Sequence, residues 1–311
     1  MSQTKGIDIS HWNSWENPEA AWEAGARFII VRIGSINNLT GICYTDYDLE
    51  NNMSLLKEWN ENNPDKILAV GVYFFGRLNH DVHKQAQFIA DTVKYCEEDL
   101  GVKVGVVVWD HEVYGSASLL KAGVEETALF TGKETGIYTS PNIWNTMTPG
   151  DKSWASNFFL WIAQWTSASS PMELEPWKSA EIDWTFWQFS AENNGLGVTF
   201  GAAPPPYGDH DMDINWFNGE YSDVLNFFNY IEEEPEPVEK LGTIYIEKPG
   251  RYSGIHVRSD ARWGQDFIIG QLKDKARVTI IGEKISGNGE LFYILKVFVP
   301  EDMVILDEEN T

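Results

Sequence analysis

The chain has two cysteines in 311 residues, Cys43 and Cys96, and neither sits in a C-x-x-C pair. That excludes a disulfide-built scaffold and a thiolate zinc site; free thiols are the expected state, with a Cys43 to Cys96 bridge left open. Basic residues are also scarce, 23 Lys and Arg against 47 Asp and Glu, and the formal charge of -24 repels nucleic acid and anionic membrane surfaces alike. No nucleic-acid partner and no membrane insertion are expected, the latter because no apolar run is long enough to span a bilayer. The opening residues, MSQTKGIDIS, lack the apolar core that a cleavable signal peptide needs. Also missing are a G-x-G-x-x-G after the first strand and a P-loop, which removes the common nucleotide-binding sheets. No cofactor is expected.

What is present is an alternation of short apolar runs and helical segments from residue 5 to about 230. Lys5 to Ser10 reads as a strand. Asn17 caps a helix with Pro18 at its first position and Gly25 at its stop. Phe28 to Gly34 and Ile67 to Phe75 are further strands, separated by a helix from Tyr47 to Asn63 that Pro64 ends. A long helix from about Asp81 to Leu100 closes at Gly101 and leads to the run beginning at Val106. Later strands fall at Gly136 to Thr139, Phe158 to Trp165, Trp184 to Ser190 and Asp211 to Trp216. Helices are read at Leu119 to Phe130, Pro141 to Asn145 and Val224 to Tyr230. About eight alternations predict an α/β fold, a (β/α)8-like barrel rather than an open sheet.

In such a barrel chemistry gathers at the carboxyl ends of the strands, and Asp8, Asp110, Glu112 and Asp213 all fall there. The run Val106-Val107-Val108-Trp109-Asp110-His111-Glu112 is the most informative. It starts as a strand buried on both faces and turns polar abruptly. Alternation puts Asp110 and Glu112 on the face of Val106 and Val108, with His111 opposite and the two acidic Cα atoms roughly 6.5 Å apart. Carboxylates that close raise one another's pKa, as a general acid working near neutral pH requires. By contrast, the Asp209 to Asp213 run reads as a polar loop, and His80 and His83 as a solvated helix start, rather than as metal sites.

Residues 232–241 hold Glu-Glu-Glu-Pro-Glu-Pro-Val-Glu-Lys, which prolines and mutual repulsion keep extended. They read as a linker between a domain at 1–231 and a second at 242–311. The second contains about six short β-rich runs and no clustered acids, the pattern of a small all-β barrel that binds rather than catalyses.

The ordered motifs of the first domain resemble the glycoside hydrolase family 25 lysozymes, the Chalaropsis-type muramidases common among phage endolysins. Gly6-Ile7-Asp8-Ile9-Ser10-His11-Trp12 is similar to the family's opening D-x-S motif, and Phe28-Ile29-Ile30-Val31-Arg32 to its second strand. Asp46, Leu49 and Asn52 fall at the spacing of its D-x-x-F-x-x-N segment. Gly71-Val72-Tyr73-Phe74-Phe75 is similar to its G-x-Y-H-F strand, and Asp110-His111-Glu112 to its D-x-E. Gly136-Ile137-Tyr138, Leu160-Trp161-Ile162-Ala163, Trp187-Gln188 and Asp213-Ile214-Asn215 follow in family order. The chain departs from the pattern at Asn13, where Gln is common, and at Phe74, where the family has His.

That resemblance implies hydrolysis of the β-1,4 bond between N-acetylmuramic acid and N-acetylglucosamine in bacterial peptidoglycan. It makes Glu112 the general acid and Asp110 the second carboxylate, with Asp8 and Asp213 lining the cleft and tuning the pair. Trp12, Arg32, Tyr73, Tyr138, Trp161 and Trp187, on or next to strand ends, are the candidate substrate-binding residues. The C-terminal region resembles a bacterial SH3 domain through Ile255-His256-Val257-Arg258-Ser259 and a hairpin of Ile268 to Lys273 with Val278 to Gly282, which implies a cell-wall-binding module. A phage-lysis context fits the missing signal peptide: synthesis in the host cytoplasm, then release to the wall, or export by another route that the sequence does not encode. The readings set against this one are a barrel that binds wall without cutting it and a barrel glycosidase acting on chitin-like polymers.

Overall fold

In the computed structural model, eight strands close a barrel whose carboxyl-end mouth carries the acids. The structure describes residues 2–190, 197–203 and 211–231, together with the backbone of strand segments 240–243, 255–258, 268–272, 277–285, 291–296 and 304–305. The chain divides into two compact units, Met1–Ile231 and Glu232–Thr311.

In the first unit the strands are β1 (Thr4–Ile9), β2 (Ala26–Ile36), β3 (Cys43–Thr45), β4 (Ala69–Phe75), β5 (Val106–Asp110), β6 (Glu134–Thr139), β7 (Phe159–Ala163), β8 (Phe186–Ser190) and β9 (Asp213–Phe217). Their order is β1-β9-β8-β7-β6-β5-β4-β2-β3, and a β1 to β2 pairing closes the ring, leaving β3 as a short antiparallel flap on β2. Helices α1 (Pro18–Glu23), α2 (Leu49–Asn62), α3 (Val82–Glu98) and α4 (Ala117–Thr131) join the early strands, and α5 (Tyr221–Phe227) follows the last. Local chemistry sets their ends. Asn17, Asp81 and Ser116 each accept a bond from a backbone N–H of the first turn, and Gly132 stops α4 at a φ of +64° that a side chain would strain.

Two expectations change. Among the described residues, the connections between β6 and β9 carry short 3-10 and π turns instead of α-helices. The last strand, β9, runs antiparallel to both β8 and β1, so the barrel is not uniformly parallel, and Asp213, expected at a carboxyl end, is instead the first residue of β9, brought to the same mouth by the reversal. The flap β3 had no strong signal, being three residues long.

Side chains divide by alternation into two apolar layers. Ile29, Val31, Val70, Val72, Val107 and Trp109 face the helices. Phe28, Val106, Val108, Phe159, Phe186 and Phe217 fill the barrel, and Phe228, just after α5, joins them to plug the amino end. Glycine makes room for these rings: a methyl on Gly6 would overlap Phe28, and one on Gly136 would overlap Phe159. The interior is therefore solid at one end and polar only at the other.

In the second unit the strands are β10 (Lys240–Thr243), β11 (Ile255–Arg258), β12 (Ile268–Leu272), β13 (Arg277–Ile285), β14 (Leu291–Lys296) and β15 (Val304–Ile305). They form two antiparallel sheets, β10-β13-β14 and β11-β12-β15. The segments read as one hairpin, Ile268 to Lys273 and Val278 to Gly282, thus supply strands to different sheets. Most of the linker, 232–239, lies outside the described residues, as do Ser259 and Lys273.

Candidate active site

Four carboxyl groups meet at the mouth as two pairs. Asp8 and Asp213 are opposite one another in the β1 to β9 register and are hydrogen-bonded. Asp110 ends β5, Glu112 lies in the connection just beyond, and their carboxyl groups are hydrogen-bonded to each other. The pairs sense one another, since Glu112 raises the pKa of both Asp8 and Asp213.

Asp8 is held by a chain of neutral donors. Its Oδ2 accepts from Asn215 Nδ2 at 2.8 Å and from Gln188 Nε2 at 3.1 Å. Each amide is oriented in turn, because Trp161 Nε1 donates to Asn215 Oδ1 at 2.8 Å and Tyr138 OH donates to Gln188 Oε1 at 2.9 Å. Burial pushes the Asp8 carboxyl up to about 6, against these amides, which favour the anion. Among the described residues Asp213 has no such amides; burial and then the charge of Asp8 push it up to about 9, so this pair carries its proton on Asp213 near neutral pH.

The second pair is equally asymmetric. Asp110 is raised well above the usual carboxylate range, first by burial and then by Glu112. Glu112 reaches solvent at the mouth although protein surrounds much of it; burial raises it, while the bond with Asp110 and the charge of Arg32 lower it. Burial thus favours the protonated form in both groups, and most strongly at Asp110. Asp110 Oδ1 is buried and has no hydrogen-bond partner among the described residues. His111 points away from the mouth, buried, with Nε2 2.8 Å from Thr148 Oγ1, and burial lowers it to about 4, a neutral imidazole.

The six candidate binding residues do not share one surface. Tyr73 and Tyr138 stand beside the acids; burial and the acids push both phenols well above their ordinary pKa, so both stay neutral. Trp161 faces inward but is buried, edge-on to Tyr138 at 4.6 Å and to Tyr73 at 6.0 Å, so it orients Asn215 and offers no open face. Trp187 faces the other way, packed in the outer layer by Trp184 and Phe189, with its Nε1 donating to Gln164 O. Trp12 is 67% exposed. Together with Arg32 it borders a groove of about 720 Å³ that contains none of the four acids. Arg32 is the link, lining the groove while acting on Asp110 and Glu112.

Gln188 and Asn215 were the residues to add. Each lies two positions along a strand from an inward-facing neighbour, Phe186 and Asp213, and that spacing was the available signal. The two departures fall away from the acids: Phe74 packs in the outer layer against Phe88 and Trp109, and Asn13 Oδ1 accepts from the backbone of Ser10. His80 and His83 bond to Asn38 O and Glu126. Among the described residues no set of three or more His, Cys, Asp or Glu side chains is placed to hold a metal ion, and no helix is long and apolar enough to cross a membrane.

Comparison with known proteins adds to this geometry. Residues 7–198 match the model of glycosyl hydrolases family 25. The chain is 26% identical over 239 residues to Lysozyme M1 of Streptomyces globisporus, covering 73% of this chain and 72% of that protein. Among solved structures it is similar to the bacterial lysozyme of Streptomyces coelicolor, with a TM-score of 0.54, 23% identity and coverage of 74% of this chain and 98% of the other. It is also similar to the Clostridium perfringens spore cortex lytic enzyme SleM, with a TM-score of 0.56, 19% identity and coverage of 94% and 97%. At these identities the solved structures speak for the fold.

Proposed function

Because the chain belongs to glycosyl hydrolases family 25 and is a glycoside hydrolase of the lysozyme type, we propose that it cleaves the β-1,4 bond between N-acetylmuramic acid and N-acetylglucosamine in peptidoglycan. The observation that carries this reading is the contact between Asp110 and Glu112, with Asp110 Oδ1 buried and unpartnered among the described residues. A buried carboxyl oxygen without a donor is a costly thing to keep, and an acetamido N–H of the substrate would supply the missing bond.

Carboxyl groups in direct contact leave no room for the water that an inverting pair holds between groups ~6.5–9.5 Å apart. The arrangement suits retention with help from the substrate. The 2-acetamido oxygen attacks the anomeric carbon and forms the new C–O bond as the glycosidic C–O bond breaks. The departing oxygen takes its proton from Glu112, which is resupplied by Asp110 along their shared hydrogen bond. Asp110, now a carboxylate, faces the cationic oxazolinium. Water then adds at the anomeric carbon as its bond to the acetamido oxygen breaks, restoring the acetamide, and returns a proton to the pair. Asp8, with Asp213, supplies a fixed negative field beside the developing charge.

The second unit is read as a wall-binding, SH3-like module that raises the local concentration of the enzyme at its insoluble substrate. The biological setting we propose is host-cell lysis by a phage, with synthesis in the host cytoplasm and release to the wall.

The test is hydrolysis of purified peptidoglycan by the full chain, with new reducing ends and product masses recorded. Reducing muramic acid ends, and a loss of at least ~100-fold in Glu112→Gln, are expected. Glucosamine reducing ends, or a Glu112→Gln variant as active as wild type, overturn the assignment.

A further inference from the structure

The groove beside the mouth has a composition that a plain glycan does not need. It lies among the end of β1 (His11, Trp12), β2 and its flap (Arg32, Tyr44), the start of α2 (Glu50) and α3 (Tyr95). At the inner end the charges are fixed: Asp46 Oδ2 is 2.7 Å from His11 Nδ1 and 3.9 Å from Arg32 Nε, and Asp46 Oδ1 accepts from the backbone of His11 and Asp48. At the outer end Glu50 is exposed, with one oxygen accepting from Tyr95 OH at 2.8 Å. Two further aromatic side chains line the groove and stand open, Tyr44 at 47% and Tyr47 at 91% exposure.

An exposed carboxylate that shares its groove with open tyrosine faces is suited to an ammonium group, which gains both charge attraction and cation–π contact. The sugar backbone carries no cation. The short peptide attached to muramic acid does, wherever it includes a diamino acid with a free side-chain amine. We propose that this groove receives the peptide stem of the substrate, its side-chain ammonium at Glu50 and Tyr47 and its carboxylates toward Arg32; this rests on the peptidoglycan reading above.

The inner end of the groove lies within reach of the acids. Asp8 is level with Ile30 in the β1 to β2 register, and Arg32 lies two residues further on. One strand across and two residues along places the inner end of the groove about 8 Å from Asp8. A stem of three residues reaches about 10 Å. The volume of about 720 Å³ falls within the ~300–1,000 Å³ usual for small-ligand sites. The groove would thus hold the side branch while the acids hold the glycan.

The experiment compares kcat/KM of the full chain on stem-bearing peptidoglycan and on the same strands after an amidase has removed the stems. It is run for wild type, Glu50→Gln and Tyr47→Ala, both changes at exposed positions. Calorimetry in parallel measures binding of a soluble stem tripeptide ending in lysine and of its side-chain-acetylated form. Wild type should prefer stem-bearing strands, each variant should lose about tenfold of that preference, and acetylation should abolish tripeptide binding. Equal preference in wild type and variants, or equal binding of the acetylated tripeptide, overturns the proposal. If wild type cuts neither strand, the muramidase reading fails, and the calorimetry still decides the groove.

Discussion

Asn215 donates to Asp8 Oδ2 at 2.8 Å from β9, the antiparallel strand that completes the barrel, and Gln188 donates to the same oxygen from β8. The two amides favour the carboxylate form of Asp8 against the burial that opposes it. Gln188→Met removes one donor of this pair and leaves the barrel filled. Loss of a hydrogen bond to a charge raises the Asp8 pKa by about one unit. The acid limb of kcat/KM should then move up by about one pH unit, with activity near pH 8 little changed. A pH profile superimposable on wild type would show that Asp8 ionisation does not govern the reaction.

Asp110 and Glu112 are hydrogen-bonded to one another, and the proposed reaction moves a proton between them. In Asp110→Asn the relay is cut and no carboxylate can face the oxazolinium. The expected loss in kcat is about 100- to 1,000-fold, with KM little changed. NMR of the first-formed anomer from wild type should report retention. An inverted first product would rule out assistance by the substrate.

Asp213 has a folded pKa of about 9, far above that of an unfolded aspartate. A carboxyl raised in this way binds its proton more tightly in the folded state, so its contribution to stability is complete below about pH 4 and is lost as pH rises toward 9. Asp213→Asn removes the titration and keeps a side-chain donor beside Asp8. Melting temperatures of wild type and variant should agree near pH 4 and diverge above it, with the variant more stable, by at most about 3–5 °C per pH unit. A gap that is constant with pH would contradict the assignment of the proton to Asp213.

Gly136 faces the Phe159 ring inside the barrel, in the layer beneath the acids. Gly136→Ala forces that ring or strand to shift, which costs about 1–3 kcal/mol. Urea denaturation should show a lower midpoint with an unchanged slope. An unaltered midpoint would mean that the interior is looser than its packing indicates.

The sequence was enough for the barrel, the helix cap at Asn17, and the placing of Asp8, Asp110 and Glu112 at the carboxyl ends of their strands; Asp213 joins them only because β9 is reversed. Each of these depends on local rules: β-branched runs, capping side chains, and alternation that sends residues i and i+2 to the same face. Tertiary structure decided the rest. Trp187 belongs to a strand apolar on both faces, so alternation alone does not say which face is inside; only the placement of Gln188 against Asp8 does. The reversal of β9 follows from how the ring closes, a pairing between residues some 200 positions apart. The resting place of the proton shared by Asp8 and Asp213 depends on burial and on which carboxyl receives neutral donors, and no spacing encodes that. The groove at Glu50 exists because β1, β2, β3, α2 and α3 meet there, bringing together side chains that share no motif.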